Sequence, residues 1–407
     1  MKLKRRIGRA VRLLGVAVLA TGGAGDGRGA APVRAAAQSG PLIPELVGYW
    51  RLDEPATATQ AADSSGYNNH GTYGGPVRST ELPPMTNFSC NSASRSFVQS
   101  EQDAVRVPDS ASLSMTGSLT LAAWIRPTLD SSTQQGIIEK WEWTGSAAIR
   151  GYMMRLNSSE HLSFAVCHNT GNNGISTAPR TIPLNTWTHV AATYDAGTQQ
   201  MTMYVNGNPD PTTGTATAPA DGSSQLVLGV GMDAHFFNGQ IDEARVYNRS
   251  LSQAEINILR TGQAPPGGLL ATEGLNQVTL DWAPAAGATR YAVYRMDASL
   301  PAFTLLATPA APPYTDTTAT GGVSYTYYVT AISVMESCPS NQVTATPLSA
   351  PPPSTQPRTG DHEEGFFDGG RCSCGSSIPA GVAPQALLAA AGLAAAVAAG
   401  RRRRFSR

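Results

Sequence analysis

The sequence predicts an all-β protein, an antiparallel jelly-roll sandwich followed by a smaller immunoglobulin-like sandwich. Three observations point there. Apolar and polar residues alternate in many short runs. Turn-forming residues punctuate those runs at regular intervals. No stretch alternates strand with helix, as a doubly wound fold requires. With 407 residues the chain exceeds what one core usually serves, so two folded domains are expected.

The elements follow in order. Leu119, Leu121, Ala123 and Ile125 mark one strand, and Leu162, Phe164 and Val166 another, after a polar turn at 157–160. Residues 187–194 and 201–205 read as a hairpin around Asp195-Ala196-Gly197, and Asn206-Gly207 then turns the chain, since that pair tolerates positive φ. Ser252 and Glu255 form a capping box ahead of Ile256, Ile258 and Leu259, the one helix signal in the folded region. Pro265-Pro266-Gly267-Gly268 breaks that region into 42–263 and 268–347. In the second part Val278–Trp282, Tyr291–Arg295, Tyr325–Ala331 and Asn341–Ala345 alternate again.

Both ends read as targeting segments. Six of the 29 basic residues fall in the first twelve, an apolar run covers 13–21, and Ala35-Ala36-Ala37 supplies small residues for cleavage after Ala37; residues 1–37 are expected to be a signal peptide. Residues 348–371 are a Pro-rich spacer with Asp361, Glu363, Glu364 and Asp368. In 372–407, Cys372 and Cys374 precede an uncharged, Ala-rich run that ends at Arg401–Arg404. Such a run can enter a membrane with its Arg end cytoplasmic. The formal net charge of zero hides an asymmetry, because residues 38–371 hold 28 acids against 16 bases. An acidic body disfavours nucleic acid as a partner.

Seven separate motifs carry a family resemblance. They are Gly48-Tyr49-Trp50-Arg51-Leu52-Asp53-Glu54, Asp63–Gly71, Val107-Pro108-Asp109 with Ser112-Leu113, Leu121–Ile125, Trp187–Asp195, Tyr204–Gly207 and Gly239–Arg249. In this order they resemble a LamG-like (concanavalin A-like) jelly roll over 42–263. The resemblance implies two curved sheets with neighbouring first and last strands, a binding module, and Ca²⁺ on a loop rim. Residues 268–347 resemble a fibronectin type III domain through the Trp282 strand and Tyr325, which implies a spacer or protein contact. The order of Gly369-Gly370, Cys372, Cys374, apolar run and Arg cluster resembles a myxosortase-type sorting signal, which implies cutting near the cysteines and display at the bacterial surface. A plain transmembrane helix is the alternative for the same residues.

Candidate site residues follow. Ca²⁺ takes six to eight oxygens, and the turn 63–71 offers several. With first and last strands adjacent, Asp63 and Asp242 are the expected carboxylate ligands, with Asn68 and the His70 carbonyl beside them. The same turn also fits an ordinary Asx-turn, and Asp242 or Glu243 could pair with Arg51 or Arg245. Trp50, Trp124 and Trp187 sit at strand positions that suit a core, and His189 fits a satisfied core histidine. Trp141 and Trp143 enter a loop and suit either packing within it or stacking on sugar rings; His168 and Asn169 fit a solvated loop or the rim of a ligand site. Cys90 and Cys167, both in the larger domain, are the expected disulfide, leaving Cys338 alone. No paired-carboxylate run, Gly-x-Ser-x-Gly or His-Glu-x-x-His occurs, so a catalytic role is not expected. The function expected is a secreted, surface-anchored adhesion protein that recognises carbohydrate or an extracellular protein. A structural surface protein without ligand is the alternative, and a glycoside hydrolase a more distant one.

Overall fold

The computed structural model describes residues 40–350 apart from 131, 144–148, 169–171 and 232–233; the side chains of 142–143, 149, 172–180 and 211–213 are likewise outside the description. Ala37, Cys372 and Cys374, the signal, the spacer from 351 onward and the C-terminal segment all lie outside the described residues. Among the described residues no helix is long and apolar enough to cross a membrane.

The alternating runs pair into two antiparallel eight-stranded sheets. The first runs Asn208–Thr215, Gln200–Val205, Thr188–Asp195, Leu119–Pro127, Gly239–Tyr247, Ser94–Phe97, Val77–Ser79, with Leu46–Trp50 also paired to Gly239–Tyr247. First and last strands of the domain are therefore neighbours, Leu46 opposite Tyr247 and Trp50 opposite Ala244. The second sheet runs Asn172–Thr181, His161–His168, Ile149–Leu156, Gln135–Trp143, Leu226–Leu228, Ala104–Val107, Gly71–Gly74, Gln60–Ala61. The inward residues of both sheets, among them Trp50, Leu121, Ile125, Phe164 and Val246, form one apolar core. The hairpin over 188–205 forms as expected, and Asn206 and Gly207 both take positive φ in the following turn.

The smaller sandwich has a three-stranded sheet (Gly267–Gly274, Gln277–Ala283, Tyr314–Asp316) and a four-stranded one (Leu300–Ala307, Arg290–Asp297, Tyr325–Ile332, Val343–Ala345). Trp282, Tyr291 and Tyr327 anchor its core. The Tyr325 hydroxyl accepts the amide of Thr320 at 3.1 Å, which ties the corner before that strand.

The strand Gly239–Tyr247 is buried on both faces, and a second apolar core accounts for its outer side. Tyr49, Trp124 and Tyr247 meet Phe88, the helix residues Ile256 and Leu259, and Ile332, Val334 and Met335 of the smaller sandwich. The helix Gln253–Thr261 carries the expected capping box at Ser252 and presents Ile256 and Leu259 to this core. Polar contacts seal the junction: the Tyr247 hydroxyl donates to the Val334 carbonyl at 2.9 Å, and the Arg290 guanidinium donates to the Leu42 carbonyl.

The disulfide expected within the larger domain is overturned. Cys90 is bonded to Cys338 across the junction, 248 residues away. Cys167 is fully buried on the far sheet with Met153 and Ala165, on a strand that does not approach Cys90's segment. Shared membership of the larger domain suggested the pair, whereas contact between domains decided it.

The junction generates a prediction. Cys90→Ser should cost about 2–5 kcal/mol, seen as a lower Tm by calorimetry without reductant, and reduction of the unaltered protein should give a similar drop. Residues 40–263 expressed alone should self-associate or bind a hydrophobic dye, because Trp124, Tyr247 and Leu259 lose their cover. A soluble monomer that binds no dye would show that this core is dispensable.

Candidate functional site

A pocket of about 330 Å³ opens on the outer face of the second sheet. Its floor is one row across three strands, since Glu139 lies opposite Val227 and Val227 opposite Arg106. Trp141 lies two residues beyond Glu139 and so shares its face. Ser224 and Gln225 line the pocket ahead of the strand Leu226–Leu228, and Gly231, Ala234 and Phe236 line it after that strand. Two glycines set the geometry. A Cβ on Gly136 would fall 2.2 Å from Gly231 N, so only glycine lets the 229–236 loop close onto the strand. Gly151, opposite Trp141, holds φ +105°, and a Cβ there would sit 1.9 Å from the Lys140 carbonyl oxygen.

The pocket's chemistry is that of a partly apolar recess with orphaned polar atoms. Glu139 is 1% exposed and pairs with Arg155, Oε1 to Nε at 3.2 Å. The Arg155 guanidinium lies 5.5 Å from the Trp141 ring centre. The Trp141 indole N–H and the Ser224 hydroxyl are buried and make no hydrogen bond among the described residues. The indole N–H groups of Trp124, Trp187 and Trp282 are likewise buried without a partner among the described residues, so this feature is not particular to the pocket. The indole combines an apolar face with a single donor, which suits a sugar ring and its hydroxyls.

Trp141 is thus the expected ligand residue that the structure places in a pocket. Trp143 continues the same strand, but its side chain, like Asn169, lies outside the description. His168 is exposed at the end of its strand, its Nδ1 3.0 Å from the Ala218 carbonyl oxygen, and it is not among the pocket's lining residues. Arg106, Glu139, Ser224 and Gln225 were not anticipated. The same-face spacing of Glu139 and Trp141 was the available signal; the partners come from strands distant in sequence.

The residues expected to hold Ca²⁺ have other occupations. Asp63 Oδ1 accepts the amides of Tyr49 and Ser65, both at 2.9 Å, and Oδ2 accepts the Ser65 hydroxyl at 2.7 Å and the Asn69 amide at 2.8 Å. A carboxylate offers about four lone-pair sites, and all are used. Gly66 and Asn68 both take positive φ in this turn, and His70 turns its Nδ1 back to accept the Asp63 amide. The turn behaves as the Asx-type alternative, pinned to the first strand. Asp242 is fully buried on another part of the sheet, accepting from the Asn91 side-chain amide at 2.7 Å and the Glu243 amide at 2.9 Å. Among the described residues no group of three or more His, Cys, Asp or Glu is placed to hold a metal ion.

Asp242 belongs to a buried polar row beneath the junction. His189, Trp124 and Asp242 stand opposite one another on three adjacent strands. A bulge follows, where Glu243 takes φ +53°. Glu243 pairs with Arg245 and accepts the Tyr49 hydroxyl at 2.7 Å. His189 packs edge-on to Trp124 and, contrary to the expected satisfied histidine, neither ring nitrogen has a hydrogen-bond partner. Burial, aided by the charges of Arg245 and Arg260, lowers its pKa to about 3. Burial, then the neighbouring Glu243 carboxylate, raises the Asp242 carboxyl well above the ordinary range.

Residues 99–257 match the family model Laminin_G_3, described as the concanavalin A-like lectin/glucanases superfamily. No curated protein matches. Similar solved structures include the binding domain of Paraclostridial Mosquitocidal Protein 1 (15% identity, 74% of this chain and 75% of that one, TM-score 0.42). The binding domain of Botulinum neurotoxin DC in complex with rat synaptotagmin II is another (14%, 72% and 73%, TM-score 0.40). Domain 4 of AbnA, a GH43 extracellular arabinanase from Geobacillus stearothermophilus, in complex with arabinotriose, is a third (19%, 53% and 98%, TM-score 0.36). The match and the paired sheets together give the larger domain a concanavalin A-like jelly roll.

Two predictions follow from these geometries. Asp63→Ala leaves four donors unanswered and should cost about 3 kcal/mol in denaturant melts, with calcium and EDTA leaving the Tm of both proteins unchanged; a calcium-dependent rise lost in the variant would restore the metal reading. The buried row predicts a pH profile. The unfolded imidazole titrates near 6.5, so the contribution of neutral His189 is present above that and lost as pH falls toward 3. Asp242 acts oppositely, its contribution being lost as pH rises through its raised folded value. Tm measured against pH should therefore flatten on the acid side in His189→Phe and on the alkaline side in Asp242→Asn.

Proposed function

We propose that this is an exported carbohydrate-binding adhesion protein whose Trp141 pocket takes a sugar, the smaller sandwich and the C-terminal segment serving to display it at the cell surface. The observation that carries this is the Trp141 ring lining a pocket together with the polar side chains of Arg106, Ser224 and Gln225. Free sugars present both an apolar ring face and hydroxyls, and this pocket offers a counterpart to each. The role is read as non-catalytic: among the described lining residues Glu139 is the one carboxylate and is held by Arg155, whereas glycoside hydrolysis uses two. Display at the surface rests on the sequence of residues 372–407 alone.

The test is a glycan array probed with the purified chain. Binding should fall at least about tenfold in Trp141→Ala, as loss of an anchoring aromatic does, and less in Trp141→Phe, which keeps a ring but no donor. Ser224→Ala should weaken binding several-fold. Array binding that is unchanged in Trp141→Ala would remove the pocket from the function, and release of any array sugar would reopen the hydrolase alternative.

A further inference from the structure

The lining of the Trp141 pocket contains one cation, and its charge is not spoken for. Arg106 lies at the end of the Glu139–Val227–Arg106 row, exposed, and its guanidinium makes no ion pair or hydrogen bond among the described residues. The carboxylate nearest to it in that row, Glu139, is already compensated by Arg155. Among the described side chains Glu139 and Arg155 offset each other and Arg106 remains as the unpaired charge. A cation left uncompensated within residues 38–371, which carry an excess of acids, is a local reversal of that charge. Arg is also the side chain whose planar fork matches carboxylate and sulfate oxygens two at a time.

We infer that the pocket selects acidic sugars, with Arg106 gripping a carboxylate or sulfate of the glycan while the Trp141 indole packs on a ring. This rests on the pocket being a sugar site, and it adds the chemical class of the sugar. The neutralised Glu139 matters to it: a bare carboxylate in the floor would repel an anionic ligand, whereas the Glu139–Arg155 pair leaves Arg106 as the charge that a ligand meets. Because Arg106 is exposed and unpartnered, its replacement leaves the fold intact, so loss of binding in a variant reports on the ligand.

The experiment is an array of hexuronate-bearing and sulfated oligosaccharides beside their neutral counterparts, read with the full chain, Arg106→Ala, Arg106→Lys and Trp141→Ala. The unaltered chain should hold acidic glycans about tenfold or more above the neutral ones, the scale of one charge-assisted contact, with the margin shrinking as salt rises. Arg106→Ala should bring acidic glycans down to the neutral level, and Arg106→Lys should keep part of the margin. A margin on the hexuronates or on the sulfated glycans identifies the anion, and either supports the inference. Equal binding of acidic and neutral glycans, or a preference that survives Arg106→Ala, overturns it; if Trp141→Ala still weakens binding in that case, the pocket stands as a site for neutral sugars. Binding indifferent to Trp141→Ala overturns both.

Discussion

A strand that can show water neither of its faces governs this structure. Gly239–Tyr247 sits mid-sheet, hydrogen-bonded to Leu119–Pro127 on one side and to Leu46–Trp50 and Ser94–Phe97 on the other. One face closes the jelly-roll core through Ile241, Ala244 and Val246. The opposite side, with Trp124 and Tyr247 among its neighbours, is as apolar as a core and must be covered. The capped helix, the segment around Phe88 and the 332–338 loop of the smaller sandwich together provide that cover. The smaller sandwich is in this sense a lid on the larger one. Its resemblance to a spacer module described its own strands but not its attachment.

Within that covered layer the protein tolerates an unusual amount of buried charge. Glu243, Arg245 and Asp242 are fully buried on consecutive turns of a bulged strand. Removing charges from water is costly unless they are paired and hydrogen-bonded. Glu243 and Arg245 meet that condition with each other and with Tyr49, whose ring also lies 4.1 Å from the Arg245 guanidinium carbon. Asp242 has amide donors but no cation, and protonation is the remaining way to avoid a bare charge. The bulge makes the arrangement possible, because two residues opposite one turn the side chains of 242–245 out of strict alternation.

Much of the fold was legible because it is local. Alternation located the 119–127, 161–168 and 188–205 strands, and Ser252 with Glu255 located the helix, since period and capping depend on near neighbours. The adjacency of first and last strands came from the motif order and is seen in the pairing of Trp50 with Ala244. What depends on distant contact was not legible. Cys338 looked solitary because its partner is in the other domain. Asp63 and Asp242 looked like ligands because their residue type suits calcium, yet side-chain direction sent one into its own turn and the other into the junction. Trp141 was recognisable as an aromatic near a loop. Arg106 and Ser224 were not, because only sheet order brings them to it.

The bond between Cys90 and Cys338 has a topological meaning for the chain. It closes a covalent loop of 248 residues that contains most strands of both sandwiches. A pull applied through the chain on either side of that loop passes from Cys90 to Cys338 through two sulfur atoms. The strands between them, including every lining residue of the Trp141 pocket, lie outside the load path. Opening of the segments before Cys90 or after Cys338 leaves that loop closed, with its two ends held 5.7 Å apart between Cα atoms.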